Sequence, residues 1–401
     1  MESITNAAEE VLVYAISFKL PGSGLYVQER RSVTFHPEGS NAYSAQAGTR
    51  VIRFKLATEG WLDPGTVRIF MDVVNADQTS KRVVRPLGQV HAFFRRLRIT
   101  MRGVVLEDIS DYARVHEMFD ILSTPQARKN AQAEGFGYDR PVQELGTLAL
   151  LPGIHRFQTV CFKPLAGILQ QAKYIPLNYC PLEIELELNA TDEPIINGIF
   201  AQFTGDNTSN FWRLENCMIK TDICTLDNAL DNNYLAHLLG GKSLNIVYNT
   251  FISNIQTILS GDTQINVSRS LTKLRSVFIT LQRDINPISQ RNNGINKLWT
   301  NFYSPMCQDD ITFSTTHVEE NEIESLQLQV GAFMIPQDPI RSHAECYYNL
   351  RKSLGIQANT MHSIDIEGNS VRKSKFIIGL DCEKLLGVAF TGITLRTVSG
   401  R

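Results

Sequence analysis

Phe93-Phe94-Arg95-Arg96-Leu97-Arg98-Ile99-Thr100-Met101-Arg102 reads as a β-strand. Leu97, Ile99 and Met101 fall on one face and Arg96, Arg98 and Arg102 on the other, with Thr100 between, which is the period of a half-buried strand. The stretch runs through Gly103 into a helix pattern over 111–122. Asp108, Ser110 and Asp111 are candidate N-caps, Val115, Met118, Phe119 and Leu122 recur at helical spacing, and Pro125 follows. The same order occurs again downstream. A strand pattern over 324–336 leads into a helix pattern over 340–354. Two further strand patterns follow each helix, at 155–165 and 181–189, then at 374–385 and 389–399. This is a tandem pair of all-β units, each with one helical excursion.

Other strand patterns support that reading. At 50–56, Ile52, Phe54 and Leu56 alternate with Val51, Arg53 and Lys55; others lie at 66–74, after the turn residues Asp63-Pro64-Gly65, and at 212–226. Turn chemistry at such short intervals indicates a sandwich or barrel, whereas a parallel α/β fold would need a helix after nearly every strand. A length of 401 residues exceeds what one ordinary core fills. A linker helix over 227–239, ending at Gly240-Gly241, divides the chain. The expected organisation is an N-terminal arm over 1–45, ordered against neighbours and holding a short strand at 32–35. A first domain with its linker helix follows over 46–240, and a second over 241–401, with strands beginning at 244–258 and 271–281. Residues 124–150 read as a long, glycine-containing loop, and the acidic stretch 319–322 as a solvated one. After 181–189 the first domain has further strands at 194–203 and 212–226, for which the second has no counterpart before Arg401. The expectation is that the second unit lacks its last strands, through truncation or completion by another chain.

Composition excludes several classes. Hydrophobic residues at 43% and charged residues at 20% describe a folded chain. A net charge of −2 provides no global drive onto nucleic acid or anionic membrane. Seven scattered cysteines with no Cys-x-x-Cys argue against a disulfide framework or zinc knuckle and for a reducing compartment. The start, with Glu2, Glu9 and Glu10, is unlike a signal peptide, and no apolar run approaches the roughly 20 residues of a transmembrane segment. The chain is expected to be soluble and made in the cytosol.

No catalytic motif emerges. Gly240-Gly241-Lys242-Ser243 resembles the end of a phosphate-binding loop, but the first glycine of that motif would fall at Ala236, inside a helix pattern. The eight histidines are well separated, and His343 three residues before Cys346 makes only two ligands. Each histidine reads as a surface or helix-face residue. No catalytic, cofactor-binding or metal residue is assigned, no cofactor is expected, and the chain is not expected to be an enzyme.

The strongest local signal is charge. Leu182, Ile184, Leu186 and Leu188 share one face of the strand at 181–189, and Glu183, Glu185 and Glu187 share the other. The arginines of the opening stretch could form a basic ribbon against a genome or anionic lipid. Matching number and pattern favour a cross-strand ladder instead, with Arg96, Arg98 and Arg102 facing Glu183, Glu185 and Glu187. Such exposed pairs contribute ~0.2–1 kcal/mol each, so they would set register more than stability.

The run from Phe94 through Gly103 to Ile109, followed by Asp111-Tyr-Ala-Arg-Val-His-Glu-Met-Phe119, resembles the double jelly-roll major capsid proteins of polinton-like viruses and virophages. Ser268-Arg-Ser-Leu-Thr-Lys-Leu-Arg-Ser-Val-Phe278, Cys346-Tyr-Tyr-Asn-Leu350 and the stretch at 389–400 extend the resemblance, in order, over roughly residues 45–401. It implies two tandem eight-stranded jelly-roll sandwiches with short helical insertions. It also implies homotrimeric, pseudo-hexagonal capsomers tiling an icosahedral shell. The implied partners are further copies of the chain, with penton and other minor capsid proteins, and no sequence-specific nucleic acid; the implied location is the virion, assembled inside the host cell. The loop at 124–150 would then lie at a tower top or an intersubunit contact. Two other readings compete. A lectin-like β-sandwich binding protein would need clustered exposed aromatics, whereas Trp61, Trp212 and Trp299 read as core or rim residues. A cupin-like enzyme would need a histidine cluster on a barrel strand.

Overall fold

Alternation of apolar and polar residues builds the N-terminal half. In a computed structural model the strand Val51–Leu56 buries Ile52, Phe54 and Leu56 completely and exposes Val51, Arg53 and Lys55. The described residues are 26–78, 82–130, 133–136, 150, 156–195, 209–258, 264–267, 271, 273–282, 302, 325–356 and 375–383. The main strands of this half are β1 (Val27–Phe35), β2 (Val51–Leu56), β3 (Arg68–Asn75), β4 (Phe94–Met101), β5 (Val104–Ser110), β6 (Phe157–Phe162), β7 (Leu182–Leu188) and β8 (Trp212–Leu226). They form two antiparallel sheets, one in the order β6-β3-β8-β1 and the other β2-β7-β4-β5. Among these main strands only the β4–β5 connection stays within a sheet. Every other connection crosses the sandwich, so the strands of each sheet come from well-separated parts of the chain.

The two inner faces meet in a single core. Ile52, Phe54, Leu97, Ile99, Ile184 and Leu186 from one sheet oppose Ile69, Val73, Leu214 and Ile219 from the other, all fully buried. Each such side chain contributes roughly 1.5–3 kcal/mol by leaving water. The chain entering β8 is anchored by Trp212, whose indole meets the Phe93 ring edge-on at 4.8 Å and donates from Nε1 to the Thr191 carbonyl at 2.8 Å.

Helices interrupt this frame. The helix α1 (Tyr112–Ile121) follows β5 and begins at Asp111, which adopts a left-handed backbone and makes no side-chain cap. A single turn, α2 (Gly167–Gln170), lies between β6 and β7. The helix α3 (Asn228–Leu239) starts where Asp227 accepts from the Ala229 N–H. Beyond it, β9 (Ser276–Ile279) pairs with β12 (Ile378–Asp381), β10 (Leu326–Val330) and β11 (Phe333–Ile340) form a hairpin, and α4 (His343–Ser353) packs on β12. Gly379 permits that packing, because a Cβ there would overlap the Ser353 hydroxyl.

Four expectations change. Residues 27–35 do not wait for a neighbouring molecule; all of β1 pairs with β8 of the same chain. The stretch 104–110, read only as a run into the helix, is a strand, β5. The single strand expected at 324–336 is a hairpin, reversed at Gly331, whose positive φ of 63° suits a turn. Residues 244–258 form no ladder at all. They lie along the N-terminal sandwich, with Ile246, Tyr248 and Phe251 against its core. Within the loop at 124–150, Phe136 is buried against Phe93 at 6.0 Å, and Cys161 N–H bonds the Glu134 carbonyl, so residues 133–136 are tied to the sandwich. Residues 131–132, 137–149, 196–203, 299, 319–322 and 389–399 lie outside the described residues.

Candidate functional site at the junction of the two halves

The β4 and β7 strands are antiparallel neighbours, with Glu185 opposite Arg98, Glu187 opposite Arg96 and Glu183 opposite Thr100. The expected charges do not all meet. Arg96 turns to the other side of β4 and grips Asp108 of β5 with two bonds, at 2.6 and 2.5 Å. Glu185 is shared between Arg53 of β2 at 2.7 Å and Arg98 at 3.8 Å. Glu183 accepts from the Thr100 hydroxyl. Arg102 sits outside the ladder altogether, in the β4–β5 turn with a φ of 48°. The charged face is therefore a network across four strands, in which Asp108 and Arg53 do work that sequence reading had given to Glu187 and Arg102. Glu185→Gln is expected to cost no more than about 1 kcal/mol, because its partners are solvated. Urea unfolding that shows a loss above about 2 kcal/mol would contradict that view of the face.

The two halves meet at α1. Met118, Ile121 and Leu122 pack with Phe302, Leu350 and Ile377 of the C-terminal half. Phe119 adds edge-on contacts with Phe251 at 4.9 Å and Phe278 at 5.3 Å. One helix thus carries apolar side chains into the first core and into a junction cluster, and α4 answers it from the other side with Leu350.

A buried carboxylate secures the connection between the halves. Glu107 of β5 is 1% exposed and accepts from Gly167 N–H at 2.9 Å, Ile168 N–H at 2.6 Å and the Thr250 hydroxyl at 3.4 Å. It therefore ties β5, α2 and the connecting segment together. Burial pushes its pKa above the ordinary carboxylate value, against the pull of the Ile168 and Gly167 N–H groups. Gly167 is required by close approach, since a Cβ there would overlap the Asn249 carbonyl.

Beside this junction, two histidines 25 residues apart in sequence come together. The His91 and His116 rings stack at 4.2 Å and 10°. His91 Nε2 lies 3.0 Å from Glu117 Oε2, and its Nδ1 lies 3.6 Å from Asp120 Oδ2. His116 Nδ1 lies 3.2 Å from the same Asp120 oxygen. Burial and the neighbouring His116 lower the pKa of His91. Burial also opposes charge on His116, but Asp120 and the Lys163 carbonyl outweigh it and raise the pKa. No local spacing announces this cluster, because a 3-10 turn at Val90–Phe93 supplies one histidine and α1 the other. His343 lies edge-on to Phe376, on a helix whose Cys346 is buried in the C-terminal core. Among the described residues, no helix is long and apolar enough to cross a membrane.

No protein-family model matches the chain, and no curated protein matches it. Solved structures do. The chain is similar to one in the PBCV-1 virus capsid, quasi-atomic model, with a TM-score of 0.56 at 10% identity, over 92% of this chain and 82% of that one. The fold is a double jelly roll. A second similar structure is that of PBCV-1 VP54 fitted into a cryo-EM reconstruction of the virophage Sputnik, with a TM-score of 0.49 at 12% identity, over 92% of this chain and 82% of that one. The crossing strand order of the N-terminal half is the first roll, and α1 is the helical excursion that joins it to the second.

Proposed function

We propose that this chain is a structural subunit of a viral shell and acts through its surface, without catalysis. The observation that carries the reading is the double jelly-roll likeness to a virus capsid chain, which extends over 92% of the protein and so includes both halves. In this reading three chains contribute six similar towers, which fill a pseudo-hexagonal capsomer, and capsomers tile an icosahedral shell. Copies of the same chain are its main partners, and penton and minor capsid proteins close the vertices. The virion is its location after assembly inside the host cell, in a virus of the polinton-like or virophage kind.

The α1 junction supports a rigid two-tower unit, because Phe119 packs both on the first core and on the cluster that α1 forms with Leu350 and Ile377. The lectin-like alternative finds less support. Trp212 is in the core, and Trp61 is 8% exposed, packed against Tyr179 and Tyr234. Neither offers a stacking platform for a sugar. The test is size-exclusion chromatography and negative-stain electron microscopy of the full chain. Trimers of hexagonal outline are expected. A chain that remains monomeric at high concentration overturns the reading.

A further inference from the structure

The polar cluster between the 3-10 turn and α1 brings two imidazoles and two carboxylates together. Glu117 and the Lys163 carbonyl can only accept hydrogen bonds when the carboxyl is ionised. His91 Nε2 at 3.0 Å and His116 Nε2 at 3.5 Å therefore carry the protons that meet them. In neutral imidazoles this leaves both Nδ1 lone pairs facing Asp120 Oδ2, at 3.6 and 3.2 Å. His116 Nδ1 is buried and meets that oxygen outside hydrogen-bond geometry. Two ring nitrogens thus face one carboxylate oxygen, an arrangement that either a proton on His116 or a metal ion can bridge.

We propose that His91 Nδ1, His116 Nδ1 and Asp120 Oδ2 bind a divalent transition-metal ion of the zinc class, which holds α1 to the first roll. The ligand set is two imidazoles and one carboxylate, a chemistry suited to such ions. One potential ligand atom from each of the three residues lies within 4.8 Å of the others. A tetrahedral ion with bonds of about 2.1 Å spaces its ligands by roughly 3.4 Å. The two separations from Asp120, 3.6 and 3.2 Å, match that spacing. The surroundings fit as well. Metal-bound histidines direct the other ring nitrogen to a carboxylate or backbone carbonyl, which fixes the tautomer. Glu117 does this for His91 and the Lys163 carbonyl for His116. The His91 and His116 side chains are 2% and 13% exposed and that of Asp120 is 30% exposed, so the site is buried on its histidine side and reached by solvent at the carboxylate.

The site's position indicates a structural role. Its ligands come from a helix and a 3-10 turn, not from strands lining a roll, which separates it from a cupin-like centre. Asp120 and His116 alternate along α1 with Met118 and Ile121, which pack in the junction. An ion here clamps the same helix that joins the two rolls. Because each lone pair lies in its ring plane, binding tilts the rings out of their 10° stack.

The test uses the full chain, stripped with chelator and then given zinc or cobalt. One equivalent of zinc is expected to remain through gel filtration, with a melting temperature several degrees above the stripped chain. Cobalt is expected to produce the visible absorption of a four-coordinate N/O site. His116→Gln and Asp120→Asn should abolish both signals, and Glu117→Gln should weaken affinity about 10–100-fold while keeping the cobalt spectrum. The proposal is overturned by a stripped wild-type chain that takes up neither ion. It is equally overturned by uptake that His116→Gln leaves unchanged, which would assign the metal to cysteines elsewhere. Should the variants fail to fold, the cobalt spectrum of the wild-type chain decides alone: nitrogen and oxygen ligation supports the site, and thiolate charge-transfer bands refute it.

Discussion

Trp212→Ala is expected to destabilise the first roll by about 3–5 kcal/mol. Trp212 opens β8, the strand that touches both neighbours in its sheet, and it is 1% exposed. Removing the indole leaves a cavity beside Phe93, whose ring sits 4.8 Å away and itself supports Phe136. It also strips the Thr191 carbonyl of its donor. The two effects separate experimentally. Trp212→Phe keeps one aromatic ring but loses the hydrogen bond and part of the packing, so its cost should be smaller, about 1–2 kcal/mol. Urea unfolding followed by far-UV circular dichroism measures both. Equal losses for the two variants would mean that the hydrogen bond, not packing, dominates at this position.

The same strand shows why much of the fold was legible. Its span, 212–226, matches the observed β8, and the faces of 50–56 match the burial of β2, because a sheet with one wet face writes its geometry into alternation. Alternation reports an extended chain with one face on apolar surface; it does not report a neighbour. Residues 244–258 carry the same signal, with Leu244, Ile246 and Tyr248 half-buried in turn, yet their backbone joins no ladder. The turn at Gly331 was hidden because the apolar run continues through it. A signal for the α4 start did lie in view: Ser342 and Glu345 form a reciprocal capping box.

The site was less legible for a different reason. His91 and His116 meet only because β4 and β5 lie between them in sequence and return α1 to the 3-10 turn. The β4–β5 hairpin creates that meeting, and local periodicity cannot encode it. Glu107 is an intermediate case. Once 104–110 is known to be a strand, Glu107 shares the inward parity of Ile109, and a lone acid at an inward position signals a partner.

Replacing that acid should release the segment joining the rolls. Glu107→Ala orphans the Gly167 and Ile168 N–H groups and removes the acceptor of Thr250, at an expected cost of about 2–4 kcal/mol. Limited proteolysis should then cut within 244–258 faster than in the wild type. Gly167→Ala should reach the same outcome by another route, because its methyl group would displace Asn249. The pH dependence gives an independent check. Burial raises the pKa of Glu107, so the folded chain holds this proton to a higher pH than the unfolded chain does. The unfolded state therefore loses protons first, and the carboxyl's contribution to stability declines as pH rises from the ordinary carboxylate value through the folded one. Glu107→Gln does not titrate. The wild type's advantage over it should narrow with rising pH across that window. An advantage that widens would show that the two N–H bonds outweigh burial, and that the carboxylate form is the one the latch prefers.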